Sequence, residues 1–212
     1  MKKGISSAVA LFAATTFAAP ASAVGLTGDL ATWQALAGSF IEDTEYGTTG
    51  DTITTLTLDD GTILNFDVSL GVAAIGDGSA TWCCGYTGDV LTNFDFNSVT
   101  VTFGTVVNDF GFYAEPNNFG TFLMTLTLDD GSTLNQLVEG DSGALFFGWN
   151  GAGVDSFTIS AVDDAAGFAF GDFFVSAAAV PEPGTWAMMV AGFGAVGYSL
   201  RRRQSVRIPQ AV

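Results

Sequence analysis

The chain reads as all-β, a β-sandwich-type domain held between two short apolar ends, and three observations predict it. Short segments of alternating apolar and polar residues, broken by Gly, Asp and Asn, run from Thr52 to Ser176 with no long helical period. The run Leu56-Thr57-Leu58-Asp59-Asp60-Gly61-Thr62 returns seventy positions later as Leu126-Thr127-Leu128-Asp129-Asp130-Gly131-Ser132. All six basic residues sit near the ends, as Lys2, Lys3, Arg201, Arg202, Arg203 and Arg207.

The repeated run is the sharpest local signal. Asp-Asp-Gly between alternating arms predicts a three-residue hairpin loop with Gly61 and Gly131 in the left-handed region. That register sets Leu56 opposite Leu64 and Leu126 opposite Leu134. It turns Leu58 and Leu128 inward, and Thr55, Thr57, Asn65, Thr125, Thr127 and Asn135 outward. Two copies are too few for a solenoid, so a pair of β-sheets is the better reading. Strands are predicted over Thr52–Leu58, Leu64–Val68, Val99–Phe103, Phe110–Ala114, Phe122–Leu128, Thr133–Leu137, Ala144–Trp149, Asp155–Val162 and Phe168–Ser176. A helical turn or two is predicted near Asp29–Ala37, with Thr27 or Asp29 as N-cap.

The amino end has the plan of a secretory signal over residues 1–23. Lys2 and Lys3 precede the apolar stretch Ile5 to Ala19, and Ala21-Ser22-Ala23 offers signal peptidase its small-x-small cleavage pattern, with Ala21 and Ala23 as the small residues. The mature chain then begins at Val24. At the other end, Pro181-Glu182-Pro183 stops any strand by removing two backbone donors. Trp186 to Leu200 follows, fifteen residues without a charge, and then Arg201-Arg202-Arg203. Such a helix is roughly 22 Å long against a hydrocarbon core of about 30 Å. It is a short transmembrane helix, helped by interfacial Trp186 and snorkelling arginines. The arginines stay cytoplasmic, which leaves the domain outside.

This order of parts over residues 181–212 resembles the PEP-CTERM sorting tail, in its PEP-x-x-W-A-M variant, through Pro181, Glu182, Pro183, Trp186, Arg201, Arg202 and Arg203. The resemblance implies processing near Pro181-Glu182-Pro183 by an exosortase-type membrane enzyme, in a Gram-negative cell that makes exopolysaccharide. The precursor would lie in the inner membrane with its domain outside the cytoplasm, and the mature form would be at the cell surface or secreted. A jelly-roll-like ectodomain is also what it implies for the body of the chain.

That body, residues 24–180, holds every acidic residue of the 22 except Glu182, and no Lys, Arg or His. With no cation to neutralise phosphates, nucleic acid is excluded as a partner, and so is docking to an anionic membrane surface. Its acids are solvated, capped by amides or matched by metal ions. A Ser-His-Asp triad, a Schiff-base lysine and a cationic oxyanion clamp are all unavailable. A carboxylate pair drawn from Glu42, Glu45, Glu115 and Glu139 is the one common catalytic scheme left. The expectation is therefore no enzyme, no catalytic residue and no obligatory cofactor.

Two binding chemistries remain open. Loops rich in Asp, Asn and Gly suit calcium, with Asp163, Asp164 and Asp172 as candidate ligands, and Asn93-x-Asp95-x-Asn97 as a second oxygen series. On a strand, that series would be a polar face opposite Phe94 and Phe96. Aromatic faces stack on sugar rings, and Trp82, Tyr86 and Trp149 stand beside turn signals. Cys83-Cys84 are neighbours about 3.8 Å apart, below the usual disulfide span of roughly 4.4–6.8 Å. A strained vicinal disulfide, a link to another chain and free thiols are all open to them. The first reading is a non-enzymatic surface or matrix component associated with exopolysaccharide and biofilm. The alternatives are a calcium-supported lectin-like module and, last, a glycoside-active enzyme.

Overall fold

Both Asp-Asp-Gly loops close as the sequence dictates. A computed structural model describes residues 25–75, 82, 84, 86–94, 96–141, 143–151, 153–176 and 192–198. In it the Leu58 N–H donates to the Thr62 carbonyl at 2.9 Å, and the Leu128 N–H to the Ser132 carbonyl at 2.9 Å. Gly61 and Gly131 have φ of 89° and 84°, a region that costs a residue with Cβ steric strain. Leu56 faces Leu64 and Leu126 faces Leu134, the register read from the alternation. The signal segment, its Ala21 and Ala23, Cys83, Asp95 and the tail residues from Pro181 to Trp186 and from Arg201 onward lie outside the described residues.

The elements in order are β1 (Gly25–Thr27), α1 (Leu30–Ala37), β2 (Phe40–Asp43), β3 (Thr52–Thr57), β4 (Ile63–Ala74), β5 (Asp89–Asn93), β6 (Ser98–Val107), β7 (Phe110–Pro116), β8 (Thr121–Leu128), β9 (Thr133–Glu139), β10 (Leu145–Asn150), β11 (Val154–Ala161) and β12 (Phe168–Ser176), with a 3-10 turn at Asp163–Ala165. All nine expected strands are present, while β1, β2 and β5 were not expected. Asp29 is the N-cap of α1, its carboxylate accepting from the Thr32 N–H at 3.0 Å, and Gly38 ends the helix at φ 73°.

The fold is antiparallel, and here one expectation is refined. Among the described residues the strands form one continuous twelve-stranded sheet, ordered β1-β10-β7-β12-β5-β4-β6-β11-β8-β9, with β2 beside β12 and β3 beside β4. The reason is β4. Its first half pairs with β6 through Leu64–Phe66, and its second half pairs with β5 through Gly71–Ala74. One long strand therefore carries the ladder between two halves that would otherwise be separate sheets.

The halves share one core. Phe103 and Phe157 from β6 and β11 meet Phe110, Phe112 and Trp149 from β7 and β10, with ring centroids 5.1–5.9 Å apart. Phe66 on β4 meets Phe170 on β12 at 6.2 Å. Burial of so much aromatic area is the main stabilising term, at roughly 25 cal/mol per Å² of apolar surface. Trp33 of α1 covers the outer side of β10. Its Nε1–H donates to the Trp149 carbonyl at 2.9 Å, and its ring packs against Phe146 and Phe174.

Candidate functional site

The half of the sheet made by β5, β7, β10 and β12 is buried on both faces, and its outer face borders a concave place on the domain. Alternation sends Leu91, Phe112, Ala114, Phe168 and Phe170 into the core. It sends Val90, Thr92, Tyr113, Glu115 and Ala169 to the other face. There Ile75, Trp82, Val90 and Ala144 form a second, small apolar cluster. Trp82 leans on Tyr86 at 6.0 Å, and the Tyr86 hydroxyl donates to the Asp89 carbonyl at 2.7 Å. Burial pushes the Tyr86 phenol well up, so it stays neutral.

Beside this cluster lies a half-open cavity of about 250 Å³, lined by Trp82, Thr92, Phe94, Glu115, Asn117 and Phe119 among others. Three features give it chemistry. Phe94 and Phe119 are 69 % and 78 % exposed, so their rings are available to a ligand. Trp82 is only 8 % exposed, and among the described residues its indole Nε1–H has no acceptor. Glu115 brings a carboxylate from the buried end of β7.

Local turns hold the walls. β5 stops at Asn93 because that side chain turns back on the chain, its Oδ1 accepting from the Phe96 N–H at 3.0 Å and its Nδ2 donating to the Phe96 carbonyl at 2.8 Å. The conditional reading of a polar face on a strand opposite Phe94 and Phe96 does not hold: the strand ends at Asn93, which is buried, and both phenylalanines are exposed. Asn117 Nδ2 donates to the carbonyls of Asn93 and Ala166 at 2.9 and 3.0 Å, tying three loops together.

Of the aromatic residues proposed from the sequence for stacking, Trp82 and Tyr86 are neighbours and Trp149 is elsewhere. Trp149 is fully buried in the main core against Phe103, Phe110 and Phe157. It offers no face to a sugar, and that expectation is corrected. Phe94, Phe119 and Glu115 complete the cavity. Phe94 lies more than twenty residues before Glu115 and Phe119, and no local pattern in the sequence joins them.

The candidate calcium ligands do not converge. Asp163 accepts from Asn97 Nδ2 at 2.7 Å, and the Asp164 carbonyl accepts from Asn118 Nδ2 at 2.8 Å, so this turn is already tied by amides. Asp172 sits in a β-bulge of β12, where the register against β7 shifts between Gly171 and Phe174, and its φ is 54°. The bulge aims its buried carboxyl at Glu42. Burial and then the Glu42 charge push Asp172 up to about 7. Among the described residues no three His, Cys, Asp or Glu side chains group as metal ligands. A broad polar hollow lined by Glu42, Glu45, Tyr86 and Asp89 adjoins the pair.

At the carboxyl end, residues 192–198 are helical and exposed, with Phe193, Val196 and Tyr198 turned outward. Among the described residues no helix is long and apolar enough to cross a membrane.

Comparison with known proteins identifies this end. Residues 179–203 match the PEP-CTERM protein-sorting motif. The motif marks an exported protein, held transiently in the membrane and processed by exosortase, a membrane enzyme. No curated protein matches the chain. Among solved structures, a family two carbohydrate esterase from Cellvibrio japonicus matches with a TM-score of 0.24 and 8 % identity, over 76 % of this chain and 38 % of that one. At that level neither fold nor activity carries over.

Proposed function

We propose that a chain carrying this motif is a non-catalytic surface or extracellular-matrix component associated with the exopolysaccharide of the cell that exports it. The signal segment takes it across the inner membrane, and signal peptidase cuts after Ala23. The helix from Trp186 to Leu200 holds it there, with Arg201, Arg202 and Arg203 on the cytoplasmic side. An exosortase-type enzyme then cuts near Pro181-Glu182-Pro183 and releases the acidic domain. The observation that carries this reading is the sorting motif placed directly after a domain without a single Lys, Arg or His. A uniformly negative body stays soluble and self-repelling in a crowded matrix.

Residues 24–180 hold no His, Lys or Arg, so an imidazole base, an amine nucleophile and a cationic clamp are all missing from this region. The Glu42–Asp172 pair is built into the join between β2 and β12. Replacing Arg201, Arg202 and Arg203 by Ala tests the sorting path. The expected outcome is loss of the released form and accumulation of precursor in membrane fractions; unchanged release contradicts it.

A further inference from the structure

The cavity beside Trp82 combines groups that suit one kind of ligand. Trp82 lines it, and its indole N–H is buried and, among the described residues, lacks an acceptor. A buried donor without a partner carries a free-energy penalty that an incoming oxygen removes. Phe94 and Phe119 expose flat apolar faces at the same cavity, which suit the C–H face of a saturated ring. Thr92, Glu115 and Asn117 add polar atoms beside them.

The charge of the ligand is constrained as well. Residues 24–180 contain no cation to attract an anionic ligand, and 21 acids that repel one. A ligand that is only a cation brings no acceptor for the Trp82 N–H. The cavity is smaller than the usual pocket of roughly 300–1,000 Å³, which favours one or two rings over a long buried chain.

From these constraints we infer that the cavity lined by Trp82, Phe94 and Phe119 binds an uncharged pyranose, with Trp82 Nε1 donating to a sugar oxygen and the two phenylalanines covering the ring. No metal takes part. The inference goes beyond the export reading, since a matrix component could be held in place by other means.

The test uses the full chain, purified in a detergent without a sugar headgroup. It is titrated by calorimetry and tryptophan fluorescence, in EDTA, with neutral oligosaccharides of glucose, mannose, galactose and N-acetylglucosamine. Polygalacturonate and chitosan oligomers serve as charged counterparts. The expected result is saturable binding of at least one neutral series, with tenfold or greater weakening in Phe119→Ala, an exposed site that leaves the fold intact. Trp82→Phe, which keeps a ring and removes the N–H, should weaken it at least fivefold. Leu36→Ala on α1 should leave it unchanged. Folded protein that binds no neutral series overturns the inference, as do preference for a charged oligomer, loss of binding in EDTA, or unaltered binding by both cavity variants. Such a failure in a chain that is still exported and clipped leaves the proposed function standing.

Discussion

Trp82 and Trp149 each carry a buried indole N–H without an acceptor among the described residues, yet they belong to different chemistry. Trp149 lies between the two halves of the sheet, ringed by Phe103, Phe110 and Phe157. Its missing hydrogen bond is offset by close aromatic packing. Trp82 lies on the opposite face, in a cluster of four buried apolar residues, and borders a cavity with exposed rings. The same side chain is a keystone in one layer and a site wall in the other. Position relative to the sheet, and not residue type, decides which.

That contrast is open to direct attack by mutation. Trp149→Ala removes the larger packing contribution and should destabilise the domain by about 3–5 kcal/mol in chemical denaturation. Trp82→Ala, in the smaller cluster beside an open cavity that can collapse onto the gap, should cost less, at the low end of that range. Equal losses would erase the distinction between the layers.

Glycines sharpen it next. At Gly167, φ is 81°, and a Cβ would overlap the Asn93 carbonyl oxygen in the loop that supports the cavity. Gly167→Ala should therefore cost more than about 2 kcal/mol, combining backbone strain and a clash. Gly61 has φ of 89°, and a methyl group added there would meet nothing within 4 Å. Gly61→Ala should cost only about 1–2 kcal/mol, from the left-handed backbone alone. Thermal melts of the two variants rank them directly.

The pH dependence localises to the bulge. Asp172 is held near 7 in the fold, while in the unfolded chain it titrates in the usual carboxylate range near 4. Between those values the folded state keeps the extra proton. Stability should accordingly fall as pH rises from about 4 to about 7, and the loss is complete above that. Burial also raises Asp43, which adds to the same slope. Asp172→Asn tolerates the φ of 54° and cannot ionise, so it should flatten the melting-temperature profile over this window. A slope unchanged by the substitution would remove Asp172 as its source.

Much of the fold was legible because it is local. The two Asp-Asp-Gly loops state their own turn type, and the flanking alternation states the register. β1, β2 and β5 were hidden for physical reasons. β1 has three residues, β2 ends in buried Asp43 with its carboxylate bound to the Asp59 N–H at 2.7 Å, and β5 is cut short by the Asn93 turn. No periodicity survives in segments that short. Continuity of the sheet was equally hidden, since it depends on which strands β4 pairs along its two halves. The cavity was half visible: Trp82 stands beside a turn in the sequence, but Glu115 and Phe119 reach it only through the order of strands. The sorting end needed no fold at all, because proline, apolar stretch and arginines act in linear order.

The central claim is that two end segments direct an acidic cargo out of the cell, and the intact mass of the protein in the culture medium tests it most directly. The account predicts a polypeptide beginning at Val24 and ending near Pro181-Glu182-Pro183, with any added mass confined to that new end. A full-length chain, with Met1 and Arg201 to Arg203 intact and soluble in the cytosol, would contradict it.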